Sequence, residues 1–184
     1  MATYTIRLNL GGDVIERLTR ANALSDQLER KTNRMSRNGR GGGGGGVANY
    51  PNLRHGWHER MSSMYERIGD EAVTIAKRAN RLNKRPRIRE AALADPVYRE
   101  MAERFRAVNK AVSSWDGEAL AELVPALEDL AEHAASLTEA FACLPEQYQD
   151  NLVSVADLVF VSRSLERIAE GLQKVAAEGL YAAS

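Results

Sequence analysis

The chain has 184 residues, enough for one domain or a domain with an appendage, and its 25 basic residues balance 25 acidic ones, so no net field draws the whole molecule toward nucleic acid or membrane. Hydrophobic residues make up 44% and aromatics only 6%, a composition that favours helices packed through aliphatic side chains over a β-sandwich. A single cysteine, Cys143, excludes an internal disulfide, no Cys/His spacing resembles a zinc site, and no window stays uncharged for the roughly 20 residues of a membrane span.

The opening MATYTIRLNLGG lacks the apolar run of a signal peptide, so the sequence reads as that of a soluble protein of the reducing cytoplasm. Thr3 to Leu10 alternates, with Tyr4, Ile6, Leu8 and Leu10 on one side, which predicts a short strand ended by Gly11 and Gly12. Asp13 then caps a helix reaching Met35, whose narrow stripe of Val14, Leu18, Ala21, Leu24 and Leu28 suits docking or a coiled coil. This segment is rich in arginine, whereas Glu118 to Glu139 carries acids and no Lys or Arg; the two halves are placed to attract one another or to take separate partners.

Six consecutive glycines, Gly41 to Gly46, form neither strand nor helix because ordering them costs the most entropy. They mark a flexible linker over 38–52, between an N-terminal unit over 1–37 and a helical unit over 53–184. A phosphate-cradling loop would need a strand before the glycines and a helix opening with Lys-Ser/Thr after them, and neither is present.

In the helical unit, Trp57, Met61, Met64, Ile68, Ala72, Ile75, Ala79 and Leu82 predict a long helix from about Leu53 to Asn83, stopped by Pro86. A second runs from about Asp95 through Met101, Phe105 and Val108 to the break at 113–117. A third spans roughly Asp116 to Leu144, with Pro125 expected to bend or divide it, and a fourth spans Gln147 to Tyr181. Four long helices with short connections make an antiparallel bundle the expected architecture.

Two of these helices share a phrase. Residues 65–77 read YERIGDEAVTIAK and residues 165–177 read LERIAEGLQKVAA, so Glu66 aligns with Glu166, Arg67 with Arg167, Ile68 with Ile168, and Asp70 with Glu170. In each copy two acids lie four apart, one above the other on a helix face, where they repel unless a cation sits between them.

The segment MYERIGDEAVTIAKRANRL and the framework LVFVSRSLERIAEGLQKVAAEGLY resemble the signature helices of the PhoU family, regulators of phosphate transport built from two three-helix repeats about a hundred residues apart. The resemblance spans about 61–181. It implies an all-α negative regulator of phosphate uptake and phosphate-responsive signalling, not an enzyme, which couples a phosphate transporter to a sensor histidine kinase; a homo-oligomer is expected on the separate ground of apolar surface. It also implies metal ligands at Glu66 and Asp70 in one cluster and Glu166 and Glu170 in another, for iron, manganese or zinc.

The chain departs from the family in having no first two helices of the first repeat, in reading Ala169-Glu170 where Gly-Asp is usual, and in offering only Glu128 and Glu132 as a middle-helix pair. Without two helices, the apolar stripe from Met61 to Leu82 is expected to lie uncovered unless the Asp13 to Met35 helix folds back or the chain dimerises. The first forty residues are instead similar in composition to phage tail structural proteins. The alternative function is therefore a structural or assembly protein whose helices form an oligomeric coiled coil.

Other residues have plainer readings. His55 and His58 suit an exposed helix start, although His58, Ser62, Glu66 and Asp70 follow one another at steps of four. Trp57 reads as core or cap, and Cys143, near Phe141 and Leu144, as a buried small hydrophobe. Arg67 and Arg78 are expected to make surface ion pairs with the nearby acids. The basic front lacks the interleaved aromatics of a nucleic-acid surface.

Overall fold

The computed structural model describes residues 51–183, and the expected strand, the Asp13 to Met35 helix and the glycine run lie outside the described residues. Four long helices account for most of it: α1 (Pro51–Leu82), α2 (Ala94–Ser114), α3 (Gly117–Ala142) and α4 (Leu152–Ala183). Among the described residues there is no strand, and no helix is long and apolar enough to cross a membrane.

Each boundary has a local cause. α1 starts at Pro51, whose fixed φ and missing N–H suit a first turn, and ends where Pro86 cannot continue it. α2 closes on Trp115, which takes a left-handed φ of 56° while Asp116 N–H returns to the Ala111 carbonyl. Asp116 then caps α3, its carboxylate accepting from Ala119 N–H at 3.0 Å.

Pro125 neither divides α3 nor ends it: one helix runs from Gly117 to Ala142. Pro125 and Ala121, whose carbonyl loses its donor, are both on the exposed side, where water can replace the missing bond. The expected start of the last helix at Gln147 is also corrected. Short 3₁₀ turns at Leu144–Glu146 and Gln149–Asn151 carry the chain to Leu152. Cys143 is exposed rather than buried, because it sits where the chain leaves α3 while Phe141 and Leu144 take the inward positions.

α4 is the central element, packing against α3, α1 and α2. Trp57 at the start of α1 donates to the Glu178 carbonyl near the end of α4, and Arg78 near the end of α1 reaches Asp157 near the start of α4, so the two helices are antiparallel. Gly117 lies beside Ala183 while Thr138 bonds Ser162, so α3 is antiparallel to α4 as well. Small residues on α4 make this crowding feasible: a Cβ on Gly171 would stand 2.9 Å from Ile68 Cγ1, and one on Gly179 would stand 3.1 Å from Val112 Cγ2.

Leu120, Leu127, Leu130, Leu165, Leu172 and Val175 fill the bundle axis, and Phe141, Leu144, Ile88 and Leu158 close one end. Met61, Ile68, Ile75 and Ala79 of the α1 stripe are each 3 to 5% exposed, and the Asp13 to Met35 helix expected to fold back on them lies outside the described residues. α4 packs along both α1 and α3, and α2 contributes Tyr98, Met101 and Phe105 to the same core.

Between α1 and α2, Tyr65 packs edge-on against Phe105 and donates to Asn109 Oδ1 at 2.6 Å, and burial pushes its phenol pKa up. At the closed end of the bundle the Tyr148 hydroxyl donates to Glu90 Oε2 at 2.6 Å. That bond holds the Glu90 carboxyl below its ordinary range and pushes the Tyr148 phenol up, since the bond favours the ionised carboxylate and the protonated phenol. A carboxyl depressed by folding adds stability that is fully present above its unfolded pKa and is lost as the pH falls through its lower folded value. In an NMR titration Glu90 is expected to protonate at lower pH than an unbonded glutamate, and Tyr148→Phe to move it upward; identical titration in both proteins would show that the bond does not form.

Candidate functional site

The two copies of the phrase share their central core positions and an exposed arginine, while the α4 copy is the more deeply buried. Ile68 and Ile168 are core, as are Ile75 and Val175, while Arg67 and Arg167 are exposed. Glu66, Asp70 and Glu170 are exposed and Glu166 is half-buried. The phrase therefore encodes a packing face with a charged back, and the two copies meet where Ile68 fits against Gly171.

The structure does not gather these acids into one site. Among the described residues no group of three or more His, Cys, Asp or Glu side chains is arranged to hold a metal ion. Two carboxylates per helix fall short of the ligands that a hard or borderline cation takes, so the rest would come from water or another molecule. The charged partners are also other than expected. Arg167 pairs with Glu71 at 3.0 Å, Arg60 pairs with Glu178, and Arg78 turns away from the phrase altogether. His58 packs its ring edge-on to Trp57, whose other neighbour is Trp115, with ring centroids 5.1 Å apart.

The most unusual chemistry lies at a residue that the sequence reading passed over. Asp157 is 1% exposed, and three guanidiniums converge on its carboxylate: Arg78 Nη1 at 2.7 Å, Arg81 Nη2 at 2.9 Å and Arg85 Nη1 at 3.0 Å. Arg78 also lies 4.2 Å from the centroid of the Phe160 ring. A buried carboxylate without partners is strongly disfavoured, and these charge-assisted bonds are what allow it to remain inside.

Three guanidiniums against one carboxylate leave two positive charges uncompensated. Arg81 is 47% exposed and Arg85 32% exposed, so donors that Asp157 does not use reach the surface. Around them the charge continues in one sign: from Ala72 to Arg89 the chain carries seven basic residues and no acid. Pattern could have disclosed the cluster, because Arg78, Arg81 and Arg85 recur at helical spacing and Asp157 interrupts an apolar face of α4.

Beside this cluster α1, the connecting turn and α2 enclose an apolar cleft of about 160 Å³, floored by Leu158, Val161 and Leu165 with Arg85 at its edge. Such a volume is comparable with cavities that admit a benzene-sized body. No family model, no curated protein and no solved structure matches the chain.

Proposed function

We propose that this chain is a non-catalytic helical module that works by contact with other proteins, as a PhoU-like negative regulator of phosphate uptake and phosphate-responsive signalling. What supports the reading is the common use of the repeated phrase: Ile68 and Ile168, and Ile75 and Val175, are buried on their two helices and the acids at Glu66, Asp70 and Glu170 are left outward. On this proposal the partner is a phosphate transporter or a sensor histidine kinase. Metal, if it takes part, bridges Glu66 and Asp70 or Glu166 and Glu170 to ligands from water or that partner.

The test is a phosphate-responsive reporter in cells lacking their own PhoU-type regulator. Expression of the chain is expected to restore repression in high phosphate, and the Glu66→Ala/Asp70→Ala and Glu166→Ala/Glu170→Ala variants to lose it while remaining folded. Unchanged reporter output with the wild-type chain would reject the reading.

A second reading, a structural or assembly protein, is favoured by one specific observation. The acidic residues of α3 make no ion pair among the described residues. An assembly protein would tolerate alanine at all four acids of the phrase.

A further inference from the structure

We propose that the arginine-rich end of α1 is a docking surface for α3 of a second copy of this chain, so that copies join head to side. This rests on charge placement and stands apart from the regulator reading.

The first half of the argument is α3. From Gly117 to Glu146 the chain carries seven acids and no Lys or Arg, and all seven acids are exposed. Glu118, Glu122, Asp129, Glu132 and Glu139 fall within about 100° of one another around the helix. Glu118 with Glu122 and Glu128 with Glu132 are like charges at i,i+4, an arrangement that destabilises a helix standing alone. A cationic partner reverses that cost.

The second half is the basic end described above, with seven cations from Lys77 to Arg89 and Asp157 as the carboxylate paired to Arg78, Arg81 and Arg85. Asp157 also organises the surface, because it holds three guanidiniums in fixed positions and so reduces the entropy lost on docking. Within one chain the two surfaces cannot meet. α4 lies between α1 and α3, and no α3 carboxylate reaches a basic side chain among the described residues.

Equal numbers of opposite charges on opposite flanks of one chain describe a heterologous contact, which propagates into open chains or rings rather than closing as a two-fold dimer. The occupant is a second copy because one sequence supplies both surfaces, seven cations from Lys77 to Arg89 and seven acids from Gly117 to Glu146, so each copy presents the complement of the other.

Two charge-reversed full-length proteins test this. One carries Glu128→Lys, Asp129→Lys and Glu132→Lys on the stripe. The other carries Lys77→Glu, Lys84→Glu and Arg89→Glu at the basic end, leaving the three arginines on Asp157 in place. By light scattering and sedimentation in 50 mM salt, the wild type is expected to grow in mass with concentration and to return to one chain in 500 mM salt, as screening at short range requires.

Each reversed protein alone is expected to stay a single chain. Their mixture is expected to form a 1:1 complex, since the intact end of one still meets the intact stripe of the other. That recovery also shows that both variants fold. A wild type that remains one chain at 50 mM salt, or one whose association survives both reversals, would overturn the proposal. So would association that is lost on reversing the stripe but survives reversing the basic end, which would assign the stripe to another cationic segment, such as residues 1–50.

Discussion

Asp157→Ala is expected to lower the stability of the chain by about 3 kcal/mol in denaturant unfolding, with α1 loosening first. Removing one member of a buried ion pair leaves its partners uncompensated, which costs about 3–5 kcal/mol. The lower end applies here because Arg81 and Arg85 are partly exposed and can turn toward water. The loss should be local: amides of α1 exchange faster while those of α3 keep their protection. Arg81→Ala is the contrasting case. With Arg78 and Arg85 still bound to Asp157 and Arg81 47% exposed, its cost is expected to be below about 1 kcal/mol. Equal effects for the two substitutions would mean that Asp157 does not hold the group together.

Gly171→Leu is expected to destabilise by about 2–3 kcal/mol, for a steric rather than an electrostatic reason. Even a single Cβ at this position would stand 2.9 Å from Ile68 Cγ1 and 3.3 Å from Cδ1, and a β-branched side chain in a helix has little rotameric freedom with which to retreat. Gly69 makes the opposite case in the first copy of the phrase. A Cβ there meets nothing within 4 Å, so Gly69→Ala is expected to stabilise by about 0.5–1 kcal/mol through helix propensity and a less flexible unfolded chain. Thermal unfolding of the two variants separates them by sign. If Gly171→Leu were tolerated, the close packing of Ile68 on Gly171 would be wrong, and if Gly69→Ala were destabilising, the open space at Gly69 would be.

The helices were legible because their signals are local. Met61, Ile68, Ile75 and Ala79 on α1 and Leu158, Leu165, Ile168, Leu172 and Val175 on α4 repeat at helical spacing, and all are buried. Pro86 and Asp116 act as stop and cap where local chemistry puts them. Pro125 was misleading for a reason of context: whether a proline divides a helix depends on which flank its orphaned carbonyl faces, and that is a property of the folded bundle.

The cluster at Asp157 was harder to read, because its meaning depends on which helix lies opposite. Arg78, Arg81 and Arg85 alone look like a solvated basic face, and Asp157 alone looks like a polar interruption. They become one unit only when α1 runs antiparallel to α4 with Trp57 near Glu178 and Arg78 near Asp157. The acids of the repeated phrase show the converse. Glu66 and Asp70 have the spacing of ligands, yet spacing on one helix supplies two carboxylates and leaves the remaining ligands to whatever faces them. Among the described residues nothing completes that set.

The antiparallel seating of α1 on α4, with the arginines gathered on one carboxylate, underlies both the outward placement of the repeated acids and the basic end. A double-mutant cycle on Arg78→Ala and Asp157→Ala, read by denaturant unfolding, tests it most directly. The two substitutions are expected to be non-additive, with a coupling of about 1–2 kcal/mol, as found for residues in direct contact. Costs that simply add, to within about 0.5 kcal/mol, would show that the two residues do not meet and would contradict the register on which the rest depends.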